Sequence, residues 1–431
     1  MITAEEYRQR REKFMSLIGK GVAVFASAPH AVMHNDVEYV YRQDSDFYYL
    51  TGFNEPRAVA VFAPNHPEHN FILFVQPKNL AEEIWTGYRV GVEAAKDLYG
   101  ADVVYSIEQL EEKLPEYLVT GEKIYYHFGR DEQFNQLILR HWRQLIQSYP
   151  RRGTGPVAIE DSNFVLHPLR QIKSKGEIEM IKKAIDITIK AHTKAQEIAK
   201  PGMYEYELQA AIEYTFRAMG GDGFAYPSIV ASGPNACILH YTENSRRIEA
   251  GDLILIDAGC CYRYYNADIT RTFPVDGKFT PQQKDIYQIV LAAQLAAIEL
   301  VKPGNRYNQY HEKAVEVIVE GLKELKLLQG DTEELIQQEK YKPFYMHRTG
   351  HWLGLDVHDV GNYKEDGDNW AVFQPGHVIT VEPGIYISPY ITPAEGQPEI
   401  PDYWKGIGVR IEDDVLVTET GNEILTAGIA K

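Results

Sequence analysis

Two stretches in the second half of this chain repeat one pattern. Gly251-Asp252-Leu253-Ile254-Leu255-Ile256-Asp257-Ala258-Gly259 and Gly376-His377-Val378-Ile379-Thr380-Val381-Glu382-Pro383-Gly384 each run from a glycine through apolar residues to a carboxylate and a second glycine. Ahead of each lies a Lys-Pro-Gly, at 200–202 and 302–304, with an Ala-rich helical stretch before it and an amphipathic one after. A short apolar run bounded by turn residues reads as a buried strand. Two equivalent helix-plus-strand units of this kind predict one pseudo-symmetric α+β domain, with sheet inside and helices outside. Its symmetry would bring Asp257 and Glu382 together near the pseudo-axis.

The carboxylates multiply around those strand ends. Asp268 opens the next strand, read as Ala267–Phe273, and the loop Gly259–Asn266 makes a hairpin centred between residues 262 and 263. That centre sets Asp257 directly opposite Asp268, with Cβ atoms about 5 Å apart. Two buried carboxylates so close need a cation or a shared proton. Glu382 sits within Val378–Glu382, where an unpaired acid would be costly. Glu412 alternates along Gly408–Val415, and Asp413 and Asp414 are expected to face solvent or cap a turn. Four acids in repeat-related pairs call for about four positive charges, which two divalent ions supply.

A nitrogen ligand is available in His351, within His347-Arg348-Thr349-Gly350-His351-Trp352-Leu353-Gly354-Leu355-Asp356-Val357-His358. His347 and His351 have the spacing of a helical zinc pair, but Gly350 and Gly354 disfavour a helix and no Glu follows His347. His240 is a further candidate from the first repeat. Oxygen-rich ligation with one nitrogen and no thiolate suits manganese or cobalt better than zinc. Cys260 and Cys261 read as small loop or core residues.

The first half mixes strands and helices. Ala58–Phe62 and Phe71–Val75 read as strands, and helical periodicity spans Phe134–Ile146 until Tyr149-Pro150-Arg151-Arg152-Gly153 breaks it. A boundary falls within 150–172, giving domains at 1–165 and 172–431. Beyond it, Ser174 and Glu177 form a capping box for a long helix. The formal charge of -17 argues against nucleic acid or an anionic membrane as partner. No signal peptide or membrane-spanning run is seen, and three cysteines, two of them adjacent, fit a reducing cytoplasm.

At the acids the chain resembles the aminopeptidase P and prolidase family, which shares the pita-bread fold with methionine aminopeptidase. The matching stretches are Ile256–Gly259, Ala267–Arg271, Gly350–His358, Val381–Tyr386 and Gly406–Asp413; in the first half, Tyr41–Phe53 and Glu83-Ile84-Trp85 resemble the family's non-catalytic domain. The resemblance implies a peptidase that releases the N-terminal residue from peptides with proline second. It implies that Asp257 binds one metal, Asp268 and Glu412 bridge two, and His351 and Glu382 bind the second. It casts Glu382 as proton shuttle, with His240, His358 and Arg410 offsetting charge on the tetrahedral intermediate. His347, Tyr386 and Trp85 would line the proline pocket, and Asp36 would lie near the substrate amine. The Trp85 equivalent reaches a neighbouring subunit in the family, so a homo-oligomer, dimer or tetramer, is implied.

Prolidase is the nearest rival, with the same ligands but restricted to dipeptides. Trp404–Arg410 and the Pro-rich loop before it resemble the aminopeptidase more. A pita-bread binding module would be expected to break one of the five ligand positions, as would metal-free hydrolysis by a creatinase-like relative. None of the five is broken.

Overall fold

The computed structural model describes residues 2–431. Two compact units divide the chain, at 2–170 and 171–431.

The N-terminal unit is built on a six-stranded sheet. Its spatial order is Val103–Ser106, Phe71–Val75, Val59–Phe62, Gly21–Ala26, Lys123–Tyr125 and Ala158–Glu160. The three central strands pair antiparallel and the outer pairings are parallel. Residues 59–62 and 71–75 are buried throughout, because both faces of the sheet are covered. Val22, Val61 and Phe74 pack one way, against Leu114 and Ile138. Phe25, Phe62 and Phe14 form an edge-to-face cluster on the other. The helix expected to break at Tyr149 instead runs Glu132–Arg152, with Pro150 inside it. Proline there forfeits one hydrogen bond in the last turn, where the helix is about to end anyway. The stop is set by Gly153, left-handed at φ 72°, whose N–H bonds the Tyr149 carbonyl.

The C-terminal unit carries the repeat. Helices α1 (Lys175–Ile198) and α2 (Glu205–Ala218) precede strands β1 (Ile229–Ser232), β2 (Leu253–Asp257) and β3 (Thr270–Pro274). Helices α3 (Pro281–Ile298) and α4 (Tyr307–Glu324) precede β4 (Val378–Val381), β5 (Gly384–Ile387), β6 (Ile407–Arg410) and β7 (Asp413–Val417). The capping box starts α1: Ser174 Oγ accepts from the Glu177 N–H, and Glu177 accepts from the Ser174 N–H. Each Lys-Pro-Gly joins two helices. Just after each, an isolated antiparallel bridge forms, Tyr204 to Arg247 and Arg306 to Val372. Packing repeats too. Ile254 and Ile256 pack against Ile187, Leu208 and Phe216, while Ile379 and Val381 pack against Ile286, Val290 and Ile318. Among the described residues no helix is long and apolar enough to cross a membrane.

The hairpin register differs from expectation. Asp257 pairs with Thr270, not Asp268, and the small ladder beyond keeps the same register, with Tyr262 opposite Tyr265. Arg263 and Tyr264 both adopt positive φ, 50° and 73°, so the two-residue turn is centred between them. Gly259 sits in the tightest approach of the hairpin, where a Cβ would meet the Ala267 carbonyl at 1.7 Å. Asp268 precedes β3, which starts later than the expected Ala267.

Candidate metal centre

Strand alternation aims the acids. On β2, Ile254 and Ile256 face the helices, so Leu255 and Asp257 face the opposite way. A shift of two residues in the hairpin leaves that parity intact, and Asp268 arrives on the same side. On the other half, Glu382 lies one residue past β4 rather than within it, sharing a face with Thr380. Glu412 falls in the break between β6 and β7.

These four ends and one loop converge. Asp268, His351 and Glu412 each offer a ligand atom, all within 4.8 Å of one another. His351 Nε2 lies 3.4 Å from Asp268 Oδ2 and 3.5 Å from Glu382 Oε1. His351 is held by backbone pairing rather than by a helix. Thr380 N–H donates to the His351 carbonyl at 2.9 Å, Leu353 N–H to Val378 at 3.0 Å and Glu382 N–H to Thr349 at 2.7 Å. Gly350 permits this contact, since a Cβ there would meet the Thr380 carbonyl at 2.0 Å. His351 Nδ1 donates to the Trp352 carbonyl at 3.0 Å, which leaves Nε2 to face the acids.

The centre is short of positive charge. Burial pushes Glu382 up to about 7; His351 opposes this and Asp268 and Asp257 add to it. Burial, then the charges of Asp268 and Glu382, hold Glu412 well above the carboxylate range. Asp268 is raised by burial and by Asp257. Burial alone would lower His351, yet its bond to Asp268 and the charge of Glu382 raise it to about 9. Several buried carboxylates around one imidazole thus compete for protons that divalent cations would displace. The donor set is oxygen-rich with one nitrogen, the composition that hard to borderline divalent ions take. None of the cysteines belongs to it, and burial pushes the Cys260 thiol up to about 12.

Polar neighbours fix the acids. Arg410 Nη2 donates to Asp257 Oδ2 at 2.6 Å, Thr270 Oγ1 to Glu412 Oε2 at 2.5 Å, and Thr380 Oγ1 to Glu382 at 3.2 Å. The Tyr226 hydroxyl contacts both Asp257, at 2.5 Å, and Asp268. Tyr226, Thr270 and Thr380 were not singled out from sequence; only their places beside the acid-bearing strands hinted at them. Asp413 and Asp414, expected at the surface, are fully buried. Asp413 accepts from Arg271 at 2.8 Å, Gln294 at 2.6 Å and Thr426 at 2.6 Å, and pairs with Lys431. Burial would raise it, but Arg271 and Lys431 hold it at about 2. Asp414 accepts the backbone N–H of Asp268 at 3.1 Å.

The acids open on a cavity of about 910 Å³ whose lining comes wholly from the C-terminal unit. His240, His347, His358 and Arg410 line it. The His358 ring stands edge-on to His351, 4.3 Å between centroids. His347 Nδ1 donates to the Arg348 carbonyl, so its Nε2 accepts the Tyr386 hydroxyl at 2.8 Å. Tyr386 in turn accepts from Arg410 Nη1 at 3.0 Å. A continuous chain therefore runs His347–Tyr386–Arg410–Asp257. Tyr386 itself is 1% exposed and sits behind His347 rather than on the cavity surface. Asp36 and Trp85 belong to the N-terminal unit: Asp36 lies exposed in the turn between Val32–His34 and Val37–Glu38, and Trp85 is 87% exposed on the helix Leu80–Thr86.

Comparison with known proteins gives this geometry its setting. Residues 179–419 match Metallopeptidase family M24, and residues 7–125 match the Aminopeptidase P, N-terminal domain. The chain is 42% identical to the Xaa-Pro aminopeptidase of Escherichia coli K12, over 100% of this chain and 96% of that protein. It superposes on the aminopeptidase PepP of Pseudomonas aeruginosa with a TM-score of 0.94 at 45% identity, covering 100% and 96% of the two chains. A zinc-substituted Escherichia coli aminopeptidase P bound to product gives a TM-score of 0.92 at 41% identity, with the same coverage. The acids, the histidine and both matched segments place this chain in metallopeptidase family M24, with an aminopeptidase P N-terminal domain.

Proposed function

We infer that this enzyme releases the N-terminal residue from peptides with proline in second position. The observation that carries the reading is the donor set itself: Asp268, Glu382 and Glu412 gather about His351 inside a histidine-lined cavity, and Asp257 joins them through the shared Tyr226 hydroxyl. In our assignment Asp257, Asp268, His351, Glu382 and Glu412 would hold two divalent ions, Asp257 on the side of one, His351 and Glu382 on the side of the other, and Asp268 and Glu412 serving both. When bound, the ions acidify a water and polarise the scissile carbonyl. Glu382 accepts the proton of the attacking water on its carboxylate and returns it to the departing proline nitrogen. His240 and His358 donate toward the developing oxyanion, and Arg410 offsets charge through Asp257 and Tyr386. His347, positioned by Tyr386, forms a wall of the proline site. An Xaa-Pro bond offers no N–H and a fixed φ, so such a site needs shape rather than acceptors.

We assign manganese as the native metal, with cobalt able to replace it. The N-terminal unit is assigned a non-catalytic role in assembly and substrate access, with Trp85 serving the site of a neighbouring subunit in a homo-oligomer and Asp36 lying near the substrate amine. A cytoplasmic location completes the reading. The test is hydrolysis of Xaa-Pro-Xaa against Xaa-Pro after chelation and after manganese is restored. Activity should vanish and return, with the tripeptide preferred. Full activity in exhaustively metal-stripped protein would overturn the reading, and cleavage of the dipeptide alone would make the enzyme a prolidase.

A further inference from the structure

The cavity extends beyond the acids to a second wall, formed by the first turn of α4 and the loop ahead of His351. Aromatic rings build it. Tyr307 lies 4.9 Å from Tyr363 and 6.4 Å from Trp370, centroid to centroid. Arg348 holds its guanidinium 5.5 Å from the centre of the Trp370 ring. Consecutive residues of this loop thus serve different walls, His347 meeting Tyr386 and Arg348 meeting Trp370. Asn308, also on the second wall, keeps a shielded Oδ1 with no hydrogen-bond partner among the described residues.

Two arginines line the cavity, and their surroundings differ. Arg410 is committed to Asp257 and Tyr386. Arg348 pairs with no carboxylate among the described residues. Arg348 is exposed at the edge of the cavity, whereas the half-buried Arg246 meets Asp252 at 2.5 Å and the buried Arg271 meets Asp413 at 2.8 Å. In a chain of formal charge -17, with acids at the centre of this cavity, a cation left without one is poised for an anion from outside. Guanidinium stacked on an aromatic face keeps its in-plane N–H donors for bidentate recognition of a carboxylate.

Resting on the aminopeptidase reading above, we propose that Arg348, backed by Trp370, receives a carboxylate of the substrate peptide. The carboxylate has two sources, an acidic side chain on the released residue or the C-terminus of a short peptide. Arg348 would then favour peptides that carry an anionic group at that distance from the scissile bond.

Four peptides separate the cases: Ala-Pro-Ala-amide as neutral reference, Glu-Pro-Ala-amide, Gln-Pro-Ala-amide and Ala-Pro-Ala with a free C-terminus. Each is assayed with manganese-loaded wild type, Arg348→Met and Arg348→Lys. The readout is the kcat/KM of each peptide relative to the neutral one in the same preparation, which cancels any difference in folded fraction. In Arg348→Met one anionic ratio should fall roughly tenfold to a hundredfold, the range of a hydrogen-bonded charge pair, through KM. Lysine should restore part of it, and the Gln peptide should not respond. A fall for Glu-Pro-Ala-amide assigns the released residue, and a fall for the free acid assigns the C-terminus. Ratios within twofold of wild type for both anionic peptides would overturn the proposal alone. A wild type that cleaves none of the four would overturn the aminopeptidase reading and this proposal with it.

Discussion

Metal-free protein should lose stability as pH rises through the range where most enzymes are comfortable, and Glu382 contributes a share of that loss that one substitution can isolate. Its carboxyl is raised from 4.5 to about 7, first by burial and then by Asp268 and Asp257. Each tenfold change in proton affinity is worth about 1.4 kcal/mol, so ionising Glu382 in the fold costs about 3 kcal/mol. A carboxyl raised on folding stabilises the fold below its unfolded pKa, and that contribution disappears as pH climbs through the folded value, here from 4.5 to about 7. His351, raised from 6.5 to about 9, acts in the same direction at higher pH. The two groups face each other at 3.5 Å, so their effects overlap and we take the Glu382 figure alone. For a unit of this size about 3 kcal/mol corresponds to about 6–12 °C in Tm. Calorimetry on chelator-treated protein should therefore show Glu382→Gln gaining on wild type by that amount between pH 4.5 and 8, since the amide cannot ionise. With saturating manganese the order should invert, because the ion needs the carboxylate. A Tm difference between variant and wild type that stays flat across this range without metal would refute the argument.

Further outcomes can be checked more briefly. Asp268→Ala should lower both metal content and turnover, whereas His358→Ala should keep both ions and lose about 3 kcal/mol of transition-state stabilisation; elemental analysis showing the opposite pattern would reverse the assigned roles. Asp413→Ala strands Arg271 without its acid and should cost about 3–5 kcal/mol in urea unfolding, and a cost below 1 kcal/mol would show that the pair is not a structural anchor. Replacing the second-position proline of a tripeptide by alanine should lower kcat/KM by roughly 1–3 kcal/mol of lost ring contact, and N-acetylation of the substrate should abolish cleavage. Comparable rates for alanine and proline would mark a broad aminopeptidase.

The gathering of the acids was readable because its signals are local: an apolar run, a carboxylate at its end, and a second copy of both. The hairpin register was not, because Tyr262-Arg263-Tyr264-Tyr265 contains no Gly or Asn to advertise a turn with two positive φ values. Misplacing that turn by one residue moved the register by two, so side-chain parity survived and the facing of Asp257 and Asp268 with it. Asp413 and Asp414 misled for another reason. Their burial depends on Arg271, Gln294 and Lys431, which are distant in sequence, and no local pattern announces them. Pro150 looked like a stop, although proline is tolerated where few hydrogen bonds remain to be lost. Tyr226 carried no signal beyond its place just ahead of β1.

The repeat also makes the centre a rivet across a seam. Asp257 and Asp268 come from the half built on α1 and α2, Glu382 and Glu412 from the half built on α3 and α4, and the exposed turn Asp276–Lys278 joins the two covalently. Any ion held by both halves would bind only when the halves are docked, so its affinity would measure the docking itself. Cutting that turn should leave two fragments whose reassembly depends on manganese concentration, a property that a site drawn from a single half would not confer.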